Sequence, residues 1–356
     1  VRPSVRFLNP SEAARRLGVS AKALRLYEQR GLVAPGRTAA GWRAYGPDEL
    51  ARAGQVVALR VLGLSLAQVA QVLSGDGQAL EPALAAHQAR LEQQGRQLAG
   101  QVEKVRALRA GLARGQTPEA EDLTGLLAPA AGLSVAFDLP WPWGGEPFVL
   151  GDIPPLTYIT GPLGSGKTRL ALSLAEALPG AIFLGLDRTA EGGAAVRAGL
   201  DAGPALAARI DRTRAWLVED GATPSDDLLA LLAALEAETA AALVIDMPEQ
   251  GLDAPTQTAL VAWLRRRGSD ARPVFLLTRS SAILDLAALG IGEALLYCPA
   301  NHAPPIRVAP YPGAPGYEAV ASCLASPEVR ARTAGMIAMM RHAESGGAST
   351  RPAAGR

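Results

Sequence analysis

The sequence predicts an α + α/β protein: a small helical unit, one long helix, and then an α/β domain with a largely parallel sheet. Three observations predict it. Helix-capping signals crowd the first 75 residues, a seven-residue apolar repeat runs from Gln78 to Gly111, and after Gly132 short apolar runs alternate with helical patterns. The 356 residues suffice for two cores of ordinary domain size, and 49% hydrophobic content with 19% charged residues excludes a disordered chain. Cys298 and Cys323 are the whole cysteine complement, so neither a disulfide framework nor a CxxC zinc pair is available, and a reducing cytoplasm is the expected location. The opening VRPSVRFLNP has no apolar core of a secretion signal. The most apolar stretch, Leu228 to Ile245, is interrupted by Glu236 and Glu238, so no membrane span is expected.

The elements follow from their punctuation. Asn9, Pro10 and Glu12 stand at cap, first and third helix positions, with Gly18 as the stop. Ser20 caps a second helix through Arg30, which Gly31 ends, giving a helix-turn-helix unit. The run GLVAPGRTAAGWRAYG reads as a short hairpin; Pro47 opens a helix to about Leu62 and Ser65 another to about Leu73. Leu84, Leu91, Leu98, Val105 and Leu112 then recur every seven residues, which implies a helix partner, with packing on its own chain as the alternative, although Gln94 and Gln101 weaken the neighbouring stripe. A polar stretch, GQTPEAEDL, marks a boundary. Strands are expected at 134–139, 156–160, 181–184, 242–245, 274–278 and 294–297. The expected organisation is a helical unit at 1–75, a long coiled-coil helix at 76–113, a linker at 114–132, an α/β domain at 133–310 and an extension at 311–356, with a helix from Pro327 to His342 and a disordered end.

Charge is unevenly placed. The first 75 residues carry eleven Lys and Arg against four acids, while the whole chain is only +1. A basic front on an acidic body points to a polyanionic partner, with a solvated charged surface as the alternative.

From SEAARRLGVSAKALRLYEQRGLVAPGRTAAGWRAYGPDEL through LGLSLAQVAQVL the chain resembles the MerR family, and with the long helix the resemblance covers residues 7–113. It implies a winged helix-turn-helix, two further helices and an antiparallel dimer helix, with double-stranded promoter DNA, a second copy of the chain and RNA polymerase as partners. Ser20, Lys22, Arg25 and Tyr27 of the second helix are expected at a major groove, and Arg37, Trp42, Arg43 and Tyr45 of the wing at phosphate and sugar. Leu26 stands where the family has a second tyrosine. Family members activate promoters by bending and untwisting DNA, a deformation of about 1–6 kcal/mol that an effector must match. In metal-sensing members the effector binds cysteines at the dimer helix; residues 77–111 here hold none.

Gly161, Pro162, Leu163, Gly164, Ser165, Gly166, Lys167 and Thr168 fit the pattern GxxxxGK[ST] between a strand and a helix. In such a P-loop, backbone N–H groups cradle phosphates, Lys167 supplies a point charge and Thr168 offers a hydroxyl to Mg²⁺, with Asp246 at a strand end beside the metal. ATP or ADP with Mg²⁺ is therefore the expected cofactor. Residues 134–297 resemble the ABC-type ATPase fold through Asp246, Pro248, Leu252 and Asp253, and the resemblance implies Trp143, or its neighbour Trp141, as the ring stacked on adenine. Three departures stand out. Met247 occupies the catalytic glutamate's place, Arg279 the switch histidine's, and no glycine-pair signature precedes Asp246. Glu249 is the nearest remaining carboxylate for a base.

The function read from these residues is a dimeric, sequence-specific DNA-binding regulator gated by nucleotide, with weak or no hydrolysis. A DNA-associated remodelling ATPase and an ATP-dependent small-molecule enzyme are the alternatives. Cys298 and His302, with Cys323, read chiefly as buried packing residues; a metal or redox site is the sharper alternative.

Overall fold

The computed structural model describes residues 7–38, 40–115, 117, 133–188, 203–268, 271–290 and 292–325. Most of the expected linker and the expected C-terminal helix and tail lie outside them.

The helical unit begins with α1 (Pro10–Leu17) and α2 (Ala21–Gln29), continues through a hairpin of β1 (Gly36–Arg37) and β2 (Arg43–Ala44), and closes with α3 (Pro47–Val61) and α4 (Leu66–Leu73). Each start is set locally. The Asn9 side chain accepts the Glu12 amide at 3.0 Å while Glu12 accepts the Asn9 amide, the Ser20 hydroxyl accepts the Ala23 amide, and Ser65 and Gln68 cap each other. Gly18 at φ 67° ends α1 in the left-handed conformation that a side chain resists. Leu24, Tyr27, Val33, Tyr45, Val56, Leu64 and Val69 form one buried core.

Helix α5 (Leu80–Ala113) extends 34 residues, about 51 Å at 1.5 Å per residue. Ala79 and Ala83 pack on the first core. Beyond them Leu84, Leu91, Leu98, Val105 and Leu112 are all exposed.

The second core is built on a six-stranded sheet. Its elements are β5 (Leu156–Thr160), α6 (Lys167–Ala177), β6 (Ala181–Leu184), α7 (Pro204–Glu219), α8 (Asp226–Glu236), β7 (Ala242–Asp246), α9 (Ala254–Arg266), β8 (Val274–Leu277), β9 (Glu293–Tyr297), β10 (Ile306–Arg307) and α10 (Tyr317–Cys323). Strand order is β10-β9-β5-β8-β7-β6, parallel except for β10. Alternate residues feed opposite faces: Tyr158, Leu243, Ile245, Leu276 and Leu295 face α7, α8 and α9, whereas Ile159, Val244, Phe275, Leu277 and Leu296 face α6 and a hairpin of β3 (Leu133–Asp138) and β4 (Pro147–Ile153). Burial on both faces explains why these strands read as continuous apolar runs. Strands β4 and β10 were not expected from sequence: β4 buries Phe148, Leu150 and Ile153 but leaves Val149 exposed, and β10 has two residues.

Candidate functional site

The sheet places three strand ends side by side. Strand β8 lies between β5 and β7, so the segment after β8 falls between the glycine-rich turn and Asp246. Ligands of open α/β sheets bind at such carboxyl ends.

The turn from Gly161 to Gly166 carries the chain from β5 into α6. Gly164 and Gly166 hold φ of 79° and 87°, and a Cβ on Gly166 would stand 2.5 Å from the Trp143 ring. At Gly161 a Cβ would collide with the Cys298 carbonyl. No side chain caps the start of α6, so its first amides are left for another acceptor. Lys167 folds back on the turn: its Nζ donates to the Gly161 and Pro162 carbonyls at 3.0 and 2.6 Å and lies 3.5 Å from Ser165 Oγ. Burial pushes the Lys167 ammonium below its ordinary pKa. Ser165 is buried beneath the turn and Leu163 is exposed above it.

Thr168 Oγ1 donates to Asp246 Oδ2 at 3.1 Å, joining two residues 78 apart in sequence. Burial pushes the Asp246 carboxyl up, and the Thr168 hydrogen bond and the Lys167 charge oppose that rise. Arg188, which sequence reasoning passed over, fixes the turn after β7 by donating to the Asp246 and Met247 carbonyls at 2.9 and 2.7 Å. Nothing in the local sequence LGLDR marks it. Met247 occupies that turn at φ 45°.

Glu249 does not stand free as a base. It is buried, its Oε2 accepts the Thr278 hydroxyl at 2.9 Å and its Oε1 faces the Arg279 amide at 3.5 Å, so it tethers the end of β8. Arg279 is half-buried, and its Nε has no hydrogen-bond partner among the described residues.

Trp143 is a correction to the sequence reading. It is buried, packed under Gly166, and its Nε1 donates to the Ala303 carbonyl at 3.0 Å, so the ring builds the floor of the turn and offers no face to a base. Trp141, two residues earlier, is 77% exposed. Helix α8 starts from the Ser225 cap where a glycine-pair signature would lie, and Asp227 packs against Gly251. Burial pushes the Cys298 thiol up to about 12, and no group of three or more His, Cys, Asp or Glu comes together for a metal among the described residues.

On the helical unit, Arg25 and Trp42 are exposed, the latter at 75%. Ser20 is buried as the cap of α2. Arg37 donates to the Gly41 carbonyl within the wing at 2.9 Å, and Arg43 to Glu28 at 2.6 Å. Tyr27 and Tyr45 correct the expectation of two DNA-facing rings. Tyr27 is buried beside Arg60 and Asp220, and burial raises its pKa. Tyr45 is wholly buried with its hydroxyl on Glu28. A unit this small gains much of its core from these two tyrosines, each of which covers more apolar surface than an aliphatic side chain, while Trp42 and Phe7 stay exposed. Lys22 is exposed, yet its Nζ donates to the Ser281 carbonyl at 2.6 Å.

Among the described residues no helix is long and apolar enough to cross a membrane. Residues 8–76 match the MerR HTH family regulatory protein model. The Haemophilus influenzae protein named "Probable heavy metal-dependent transcriptional regulator" is 35% identical over 126 residues, 33% of this chain and 98% of that protein. Among solved structures, the HTH-type transcriptional regulator SkgA from Caulobacter crescentus aligns with 33% of this chain and 86% of its own at 31% identity and TM-score 0.23. A bacterial Atm1-family ABC exporter with ATP bound aligns with 81% of this chain and 64% of its own at 14% identity and TM-score 0.31. With nearly the full length of a related regulator matched at its N-terminal end, the chain belongs to the MerR helix-turn-helix family of regulatory proteins.

Proposed function

We propose that this MerR-family DNA-binding transcriptional regulator acts as a homodimer whose α/β domain binds ATP or ADP with Mg²⁺, and that binding rather than turnover is its signal. The observation that carries the reading is the Thr168–Asp246 hydrogen bond beside an uncapped helix start. A hydroxyl and a carboxylate meet where a phosphate-bound metal would sit, and Lys167 rests on carbonyls that it can exchange for phosphate oxygens. The residues present fit the group: Gly161 to Thr168 would hold the phosphates, Thr168 and Asp246 the metal, and Trp141 has the free ring face for a base. Mg²⁺ bound there would neutralise phosphate charge.

Slow turnover follows from the carboxylates. Met247 cannot polarise water, and Glu249 is held by Thr278. Dimerisation rests on the exposed apolar stripe of α5, which is uncovered among the described residues. The same helix lacks cysteines between 77 and 111, so the nucleotide takes the effector role that thiol-bound metal has in other members. Promoter DNA and RNA polymerase are the partners this reading carries.

Lys167→Ala tests it. ATP affinity should fall at least about 10- to 100-fold, the worth of a charged hydrogen-bonding group, while the thermal melt keeps its shape. Unchanged ATP binding by titration calorimetry, or no ATP binding by the wild type, would remove the nucleotide from the function.

A further inference from the structure

The two halves of the chain are joined by more than their covalent connection. Helix α7 ends at Glu219 and Asp220, and both carboxylates reach the helix-turn-helix unit. Asp220 takes the Arg60 guanidinium at two points, 2.5 and 3.0 Å, and accepts the first amide of α4, Leu66 N–H, at 2.9 Å. Glu219 accepts the Ser65 hydroxyl at 2.8 Å. The pair is desolvated: the Asp220 side chain is 1% exposed and that of Arg60 16%. Trp216 adds a ring with Arg60 at 5.7 Å and Arg266 at 4.5 Å from its centroid.

A second contact runs along the recognition helix. Lys22 is bonded to the Ser281 carbonyl at one end of α2, and at the other the Arg30 guanidinium lies directly against Gly221. The α/β domain therefore touches α2 near both of its ends. A helix is about 10–12 Å across and the major groove of B-DNA about 12 Å wide, so a helix seated in the groove has DNA backbone along both flanks. The donors that Asp220 and Glu219 occupy are a guanidinium, a hydroxyl and a helix-start amide. Those are the donors that phosphate oxygens take.

We infer that this contact is a latch in which Asp220 and Glu219 stand where DNA phosphate would bind the helix-turn-helix unit, so that the docked form and the DNA-bound form exclude each other. Its trigger, unlike the latch itself, rests on the nucleotide reading. Ser281 closely follows Thr278, which holds Glu249, and Arg279, whose charge acts on Lys167. A terminal phosphate that draws Arg279 pulls on the segment that holds Lys22.

The test uses the full chain and mixed-sequence duplex DNA at low salt, without nucleotide. Asp220→Ala should bind DNA at least about tenfold more tightly, because a docked form that claims about 90% of molecules weakens apparent affinity by that factor. Equal or weaker binding by a variant that melts as cooperatively as the wild type overturns the latch. Carbodiimide labelling of the wild type depends on no variant: Asp220 should become labelled when DNA is added, and DNA binding that leaves Asp220 protected also overturns it. ATP and Mg²⁺ should then tighten DNA binding by the wild type and leave Asp220→Ala unchanged. A tightened Asp220→Ala beside a wild type indifferent to ATP keeps the latch and removes the nucleotide gating.

Discussion

The helix starts of the helix-turn-helix unit and the candidate site of the α/β domain are built from polar contacts of different range. In the first, Asn9 with Glu12, Ser20 with Ala23 and Ser65 with Gln68 each span three residues. In the second, Thr168 meets Asp246 across 78 residues and Thr278 meets Glu249 across 29. A three-residue contact is written by the local chain. A 78-residue contact is written by strand order, and here β8 has to lie between β5 and β7 before the site exists. Losing a local cap costs about 0.5–2 kcal/mol of stability. Changing a long-range site residue alters chemistry while the core stays.

Met247→Glu probes that contrast with the largest expected effect. If Thr168 and Asp246 already hold the metal, a carboxylate at 247 restores a base, typically worth about 10²–10⁴ in rate. ATP turnover measured by phosphate release should rise by such a factor with the melting temperature little changed. A variant as slow as the wild type would mean that strand order alone has not assembled a competent site.

The contrast also explains what was legible. Helix starts at Pro10, Ala21, Pro47 and Leu66 could be read because cap and first turn lie within four residues. Strands β5 and β6 were legible to the residue from their short apolar runs, although only β5 is buried throughout and the edge strand β6 leaves Ile182 exposed. Strand β4 was missed behind a Pro- and Trp-rich approach, and Arg188 because its partners are carbonyls 58 and 59 residues away. The ion pair of Arg60 and Asp220 spans 160 residues, and no spacing rule reaches so far. For Trp141 and Trp143, spacing placed both near the turn but did not say which ring was buried.

Those two tryptophans sharpen the comparison next. Trp143→Ala should destabilise the α/β domain by about 3–5 kcal/mol, the usual cost of emptying a buried aromatic site, read from denaturant melts. Trp141→Ala should shift stability by no more than about 0.5 kcal/mol and weaken ATP binding instead. The opposite pattern would return the base-stacking role to Trp143.

The stripe on α5 lies outside both cores, so its substitution should leave both folds intact. Leu91→Gln with Leu98→Gln removes two exposed apolar side chains, each worth about 1.5–3 kcal/mol when buried. Light scattering should show a dimer for the wild type and a monomer with unchanged helix content for the variant. A persistent dimer would place the partner surface elsewhere.

The smallest expected effect separates two arginines of the DNA-binding unit. Arg25 is exposed on α2, whereas Arg43 on β2 is 2.6 Å from Glu28, whose carboxylate also holds the Tyr45 hydroxyl. A free cation that neutralises a phosphate releases about one counterion; a cation already paired inside the protein releases less. Arg25→Ala should therefore weaken DNA binding about tenfold and lower the salt slope by about one unit. Arg43→Ala should weaken binding less and leave the slope nearly unchanged, since its main loss is the tie between wing and recognition helix. Equal slope losses in the two variants would mean that Arg43 leaves Glu28 for phosphate when DNA arrives. The short-range contacts of this unit would then be as state-dependent as the long-range ones of its neighbour.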